Sequence, residues 1–233
     1  MTKKAETLSI VLPVYNEHSR ILDGVRQAME LKRQWAGDCE IIVVDDGSTD
    51  ECVTLLDENL VTIVSLPHKG KGSAVREGML LANNERIVFS DIDWSVPVEQ
   101  VIFMLQVPGE IVIASREISG ARRIAEPPWR HLLGKGFNRW VQWMLISGYE
   151  DTQCGCKIFS KRAAESIFLK VKEVGWAFDV EVLVIAHLLG FQVIEYPVSW
   201  QYQADSKIKI IPDVLRMARA ILRIKSRLLT KSY

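Results

Sequence analysis

The chain has 233 residues, 48% of them hydrophobic and 25% charged, with 29 Lys and Arg balanced by 29 Asp and Glu. This length and apolar fraction suit one substantial core with a short appendage better than two domains. With a formal charge of zero, a nucleic-acid partner is not expected. No run of about 18 apolar residues is available to cross a bilayer, because residues 180–198 are broken by Glu181, His187 and Gln192.

Taken in order, the chain alternates strand and helix. Residues 8–14 read as a buried strand, 19–35 as a helix and 40–44 as a strand. Residues 50–59 follow as a helix, 61–66 as a strand, 72–83 as a helix and 87–89 as a further strand. Such alternation predicts an α/β fold with a mostly parallel sheet, whose ligands bind beyond the carboxyl ends of its strands. Three polar clusters fall at those ends: Tyr15-Asn16-Glu17, Asp45-Asp46-Gly47-Ser48 and Asp91-Ile92-Asp93. Two carboxylates flanking one residue where a strand breaks can share a hard divalent cation, which in turn grips a diphosphate.

The four cysteines, Cys39, Cys52, Cys154 and Cys156, are too scattered for a disulfide framework. The N-terminus leads into a strand without a signal-peptide pattern, so a cytoplasmic location is expected. Cys154-Gly155-Cys156 lacks the two-residue spacer of a redox or zinc pair and is read as structural. His68, His131 and His187 show no ligand spacing; His187, among apolar neighbours, reads as a structural histidine. Asp50 and Ser48 read as helix caps.

The ordered motifs Leu12-Pro13-Val14-Tyr15-Asn16-Glu17, Val44-Asp45-Asp46-Gly47-Ser48-Thr49-Asp50, His68-Lys69-Gly70-Lys71-Gly72 and Asp91-Ile92-Asp93 resemble the signature of family 2 inverting glycosyltransferases of GT-A fold. Asp151-Thr152-Gln153-Cys154-Gly155-Cys156-Lys157-Ile158-Phe159 and Trp176-Ala177-Phe178-Asp179-Val180-Glu181 resemble the branch that glycosylates polyprenyl phosphates, dolichyl-phosphate glucosyltransferases above all. The resemblance implies a Rossmann-like GT-A body over residues 1–204, with a basic amphipathic segment at 205–233. Pro13, Tyr15, Glu17 and Asp45 would then hold the base and ribose of a nucleotide sugar. Asp46 would lie near the diphosphate, Lys71 would charge the phosphate turn, and Asp91 and Asp93 would hold Mg2+ or Mn2+.

On the acceptor side the resemblance matches Arg116 and Arg130 to positions that bind a lipid phosphate, with Arg116 joining Asp91 and Asp93 as catalytic. Arg122 and Arg123 read equally well as an exposed loop. The chain departs from the mannosyl enzymes at Gly134, where they carry serine, and at Ser95, where they carry a metal-binding glutamine. The third protein ligand of the metal is therefore open. Asp179 either shapes the sugar pocket or orients a helix, and Glu181 reads as structural. A phosphate acceptor needs no strong general base. The expected reaction is inverting transfer of one hexose, from UDP-glucose by preference, to polyprenyl phosphate. GDP-mannose as donor and a sugar hydroxyl as acceptor are the alternatives.

Residues 205–233 carry eight Lys or Arg against two acids. Val214, Leu215, Ala218, Ile221, Leu222, Leu228 and Leu229 recur at helical spacing beside a stripe of Arg216, Arg219, Arg223 and Arg227. Such a helix either lies on a membrane surface, packs on its own domain or pairs with a partner as a dimer helix. Phe137, Trp140, Trp143, Met144 and Ile146 either join that surface or close the acceptor site.

Overall fold

The computed structural model describes residues 6–203 and 210–233, with side chains from 214 onward in the second stretch. Its centre is a seven-stranded sheet in the order β3-β2-β1-β4-β7-β5-β8. The strands are β1 (Leu8–Val14), β2 (Cys39–Asp45), β3 (Thr62–Ser65), β4 (Arg86–Ser90), β5 (Ile111–Ser115), β7 (Cys156–Ser160) and β8 (Val193–Pro197). β6 (Arg122–Ile124) and β9 (Ser199–Gln201) pair in a separate small sheet. All neighbours in the large sheet run parallel except β7, which lies antiparallel between β4 and β5. The expected mixed, mostly parallel sheet is what the chain forms.

Seven helices complete the described structure: α1 (Ile21–Gln34), α2 (Lys71–Leu81), α3 (Val98–Gln106), α4 (Pro128–Met144), α5 (Lys161–Phe168), α6 (Phe178–Leu188) and α7 (Ile210–Leu229). Alternate residues of each strand face opposite sides. Ile10 and Leu12 pack with Ile21, Leu31, Val101 and Met104 of α1 and α3, whereas Val11 packs with Val75, Met79 and Phe178 on the other side. Helices on both faces explain why the central strands are apolar on both. A fully buried phenylalanine such as Phe89 or Phe159 contributes about 1.5–3 kcal/mol to this core.

The helix expected at 50–59 is a single 3-10 turn, Cys52–Leu55. Asp50 accepts from the backbone N–H of His18 at 2.9 Å and of Cys52 at 3.1 Å, and Glu51 takes a left-handed φ of 58°. That conformation stops an α-helix from extending. His187, read as a structural histidine among apolar neighbours, is exposed in the last turn of α6.

The C-terminal helix α7 packs on its own domain. Ile221 and Ile224 are fully buried in the core layer of α2, α5 and α6. Val214, Leu215, Leu222 and Leu229 face outward instead. Of the five apolar residues named around α4, Trp143 alone is exposed, at 80%; Phe137, Trp140 and Met144 pack on the core and Ile146 is buried.

Candidate functional site

β1, β2 and β4 end on one edge of the sheet. β1 pairs with β2 along its whole length, Val14 facing Asp45, but its pairing with β4 ends at Val11 opposite Phe89. The two strands separate at Pro13, a residue that cannot donate to a ladder. The crevice that opens lies where the order of connection reverses, between β1 and β4.

Three loops line this crevice. After β1, Asn16 adopts a φ of 53° and its side-chain oxygen accepts the Thr49 N–H at 2.7 Å, while its own N–H donates to Ser48 Oγ at 2.8 Å. Asp45 accepts from the N–H of Ser48 at 2.9 Å and from its hydroxyl at 2.5 Å. Ser48 thus ties two loops together rather than capping a helix. Glu17 is buried and paired to Arg20 at 2.7 Å. The Tyr15 ring stacks on His68, centroids 4.1 Å apart.

Asp46 is 2% exposed. Its carboxylate receives the backbone N–H groups of Lys69 and Gly70 and lies 2.8 Å from His68 Nδ1. Its influence on a ligand therefore passes through the turn it shapes. That turn needs glycine: Gly70 has a φ of 125°, and a Cβ there would stand 2.5 Å from the Val174 carbonyl oxygen. Lys71 follows as the first residue of α2, its ammonium against Asp91 and 5.1 Å from the Trp176 ring centroid. Burial alone would lower the pKa of Lys71, but Asp91, Asp179 and Asp93 outweigh it and hold the pKa above the ordinary value.

The acidic pair stands on a strained, anchored loop. Trp94 takes a φ of 45°, a costly conformation for a bulky residue. Its buried indole donates to the Gly24 carbonyl of α1 at 2.8 Å. Asp93 accepts from the N–H and hydroxyl of Ser95, both at 3.0 Å, so Ser95 orients this carboxylate. Burial, reinforced by the like charge of Asp91, pushes the Asp93 carboxyl above its ordinary pKa. The neighbouring strand leaves room for the pair: a Cβ on Gly155 would stand 2.0 Å from an Asp91 carboxylate oxygen. Two hard oxygen donors, repelling each other and faced by a side-chain-free cradle, fit a divalent cation such as Mg2+ or Mn2+. Among the described residues no group of three or more His, Cys, Asp or Glu converges on a metal.

Asp179 and Lys157 form a buried ion pair, and Lys157 also donates to the Cys154 carbonyl at 2.8 Å. The thiols beside them are inert, burial pushing Cys154 up to about 12. Glu181 is fully buried and accepts from the N–H groups of Lys172 and Glu173 at 2.8 and 2.6 Å, the structural role expected of it.

Arg116 is bound at both ends by Asp151. Nε and Nη2 donate to its two oxygens at 2.7 and 3.0 Å, and the Arg116 N–H adds a third bond at 2.9 Å. Arg116 and Arg123 lie over the Trp200 ring at 5.1 and 5.9 Å, and Arg130 lies over Tyr202 at 5.2 Å. Arg123 is not an exposed loop residue: it pairs with Glu117 and with Glu126. Trp200 itself borders a small pocket with Ser90, Asp91, Ser95, Val96 and Gly155. Arg116, Arg123 and Asp91 are therefore gathered around one indole. Sequence reasoning missed Trp94, Gly155, Lys157, Trp200 and His68; a lysine within the apolar strand Cys156–Ser160 was the clearest available signal.

The profile described as Glycosyl transferase family 2 matches residues 9–168, a span that holds the three loops and the acidic pair. The chain belongs to glycosyl transferase family 2. This family 2 glycosyltransferase is 32% identical to the dolichyl-phosphate beta-glucosyltransferase of Homo sapiens over 97% of its own length and 77% of the relative's. It is 31% identical to the enzyme of the same name from Saccharomyces cerevisiae, over 97% and 76%. Among solved structures it resembles glucosyl-3-phosphoglycerate synthase from Mycobacterium tuberculosis in complex with Mn2+, UDP and glucosyl-3-phosphoglycerate. That match has a TM-score of 0.69 at 18% identity and covers 94% of this glycosyltransferase and 78% of the synthase. The GT-A architecture expected from the motifs is thereby met.

Proposed function

We propose that this glycosyltransferase moves glucose, with inversion, from UDP-glucose to the phosphate of a dolichyl-type polyprenyl phosphate. The observation that carries the reading is near-full-length similarity, at 31–32% identity, to dolichyl-phosphate beta-glucosyltransferases. The donor reading is supported by a fold neighbour that holds UDP and Mn2+ and by the cradle of Asp91, Asp93 and Gly155.

Asp91 and Asp93 would hold Mg2+ or Mn2+, which offsets the charge developing on the leaving diphosphate. Lys71 adds a fixed positive charge to that pocket. Tyr15 offers a stacking surface, while Asp45 and Glu17 border the base and ribose. Arg130 and Arg116, aligned on Tyr202 and Trp200, would receive the acceptor phosphate; Asp151 fixes the plane of the Arg116 guanidinium. The phosphate monoester supplies its own nucleophilic oxygen. An Asp179 carboxylate locked to Lys157 suits a reaction that draws on no side-chain base.

The lipid is met at a membrane surface, reached from the cytoplasmic side. Trp129, Leu132, Leu133 and Trp143 stand exposed on α4, and Val214, Leu215 and Leu222 on α7, next to Arg216 and Arg219. This apolar and basic mixture matches an interfacial helix face. Among the described residues no helix is long and apolar enough to cross a membrane.

The test is transfer to a short-chain polyprenyl phosphate from UDP-glucose and from GDP-mannose in parallel, with Mg2+, Mn2+ or EDTA. Metal-dependent lipid-linked glucose is expected. Product from GDP-mannose alone overturns the donor, and transfer only to a sugar hydroxyl overturns the acceptor.

A further inference from the structure

The segment between α5 and α6, residues 169–177, forms the second wall of the phosphate turn. The Val174 carbonyl accepts the Ser73 N–H at 3.3 Å, and Trp176 lies beneath the Lys71 ammonium. A Cβ on Gly72 would stand 2.5 Å from the Glu173 carbonyl oxygen, the same close approach as Gly70 makes to Val174. The turn carrying Lys71 therefore takes its position from residues 172–177.

Two buried glutamates hold that segment in turn. Glu181 receives the N–H groups of Lys172 and Glu173, and the Glu173 side chain is itself buried. Neighbouring carboxylates in an apolar interior repel, and each needs a cation. Both cations come from α7. Arg223 donates to Glu173 through Nε at 3.1 Å and Nη2 at 2.6 Å, while Nη1 of Arg227 reaches Glu173 at 2.9 Å and Glu181 at 2.7 Å. The Tyr233 hydroxyl adds a bond to Glu181 at 2.8 Å.

We propose that α7 is a positioning element of the donor site: through Arg223 and Arg227 it fixes Glu173 and Glu181, and through residues 172–177 it sets Lys71 against Asp91. The inference rests on the reading of Lys71 and Asp91 as donor-binding and adds that a helix more than a hundred residues away in sequence sets their affinity. Half of the basic stripe on α7, the half-exposed Arg223 and the largely covered Arg227, is thus engaged by glutamates of the enzyme's own fold.

The experiment uses the full chain with Arg223→Gln and Arg227→Gln combined, Arg227→Lys, and Arg33→Gln on α1 as a control. Titration with UDP in the presence of Mn2+ is expected to show a dissociation constant raised about tenfold in the double variant, the scale of a lost supporting contact. Arg227→Lys is expected to keep most of the affinity that the double variant loses, because a single Arg227 nitrogen serves both glutamates. Hydrogen exchange on the same proteins without ligand is expected to show faster exchange at residues 70–77 and 172–177, with β1, β2 and β4 still protected. Unchanged exchange at those residues overturns the proposal, as does unchanged UDP affinity once their protection is lost. A wild-type chain that binds no nucleotide strikes the donor reading instead, and the exchange result still decides the role of α7.

Discussion

The ammonium of Lys71 rests against the carboxylate of Asp91, so the side chain proposed to meet the donor's phosphates neutralises one proposed to hold the metal. The pair keeps three acidic groups, Asp91, Asp93 and Asp179, compatible in a small volume. Lys71→Gln should therefore separate two affinities. Removing a cation from beside the acidic pair is expected to strengthen binding of Mn2+ alone by about threefold, while UDP binding with Mn2+ weakens by about tenfold or more. Calorimetric titration of each ligand checks both signs, and parallel losses would sink the assignment.

Burial and the like charge of Asp91 both favour the neutral form of Asp93 and raise its pKa. Asp93→Asn keeps an acceptor for the Ser95 N–H and hydroxyl. Transfer should fall by at least about a hundredfold, and the melting temperature without metal should stay level or rise. Mn2+ with UDP should stabilise the wild type and not the variant. Thermal melts in the four conditions decide this, and a metal-induced gain in the variant counts against Asp93 as a ligand.

Gly155 is a sequence-neutral residue with a geometric task. In Gly155→Ala the new methyl falls within bonding distance of an Asp91 oxygen, so the carboxylate must move. The expected result is a folded protein with metal-dependent UDP binding reduced by about tenfold or more. Equal binding would show that the cradle is not where the metal lies.

The Arg116–Asp151 pair predicts the acid limb of stability. Burial disfavours the charged carboxyl, yet the Arg116 charge and hydrogen bonds outweigh it and hold Asp151 well below the usual range. A depressed folded-state value contributes stability that is present above the unfolded value of about 4 and is lost as pH falls through the folded value. Wild-type stability should decline below about pH 4, and Asp151→Asn should flatten that decline. At neutral pH the variant should be less stable by about 3 kcal/mol, because it leaves Arg116 buried without its anion. Urea unfolding across the pH range measures both.

The alternation of strand and helix up to residue 89 and the edge that carries the site were readable because apolar runs and turn residues are local signals. Asp45, Asp46, Lys71, Asp91 and Asp93 all fall on that edge. What escaped reading depends on contacts distant in sequence. The stacking of Tyr15 on His68, the anchoring of Trp94 to Gly24 and the engagement of Arg116 by Asp151 join residues that no periodicity links. The amphipathic pattern of α7 was visible, but not which arginines pair with the enzyme's own acids, since Glu173 and Glu181 decide that from another part of the fold.

The antiparallel strand β7 lies beside β4 in space yet follows it by two helices and two strands in the chain. Asp91 and Asp93 leave the ribosome before Gly155, whose backbone closes the cradle beside them, and Arg227 emerges later still. A nascent chain can build β1, β2 and β4 early, but it holds only half a pocket until Gly155 and α7 have followed. The carboxylates of Asp91 and Asp93 are thus made well before the segments that position them, so the order of synthesis places assembly of the pocket after that of the sheet edge it stands on.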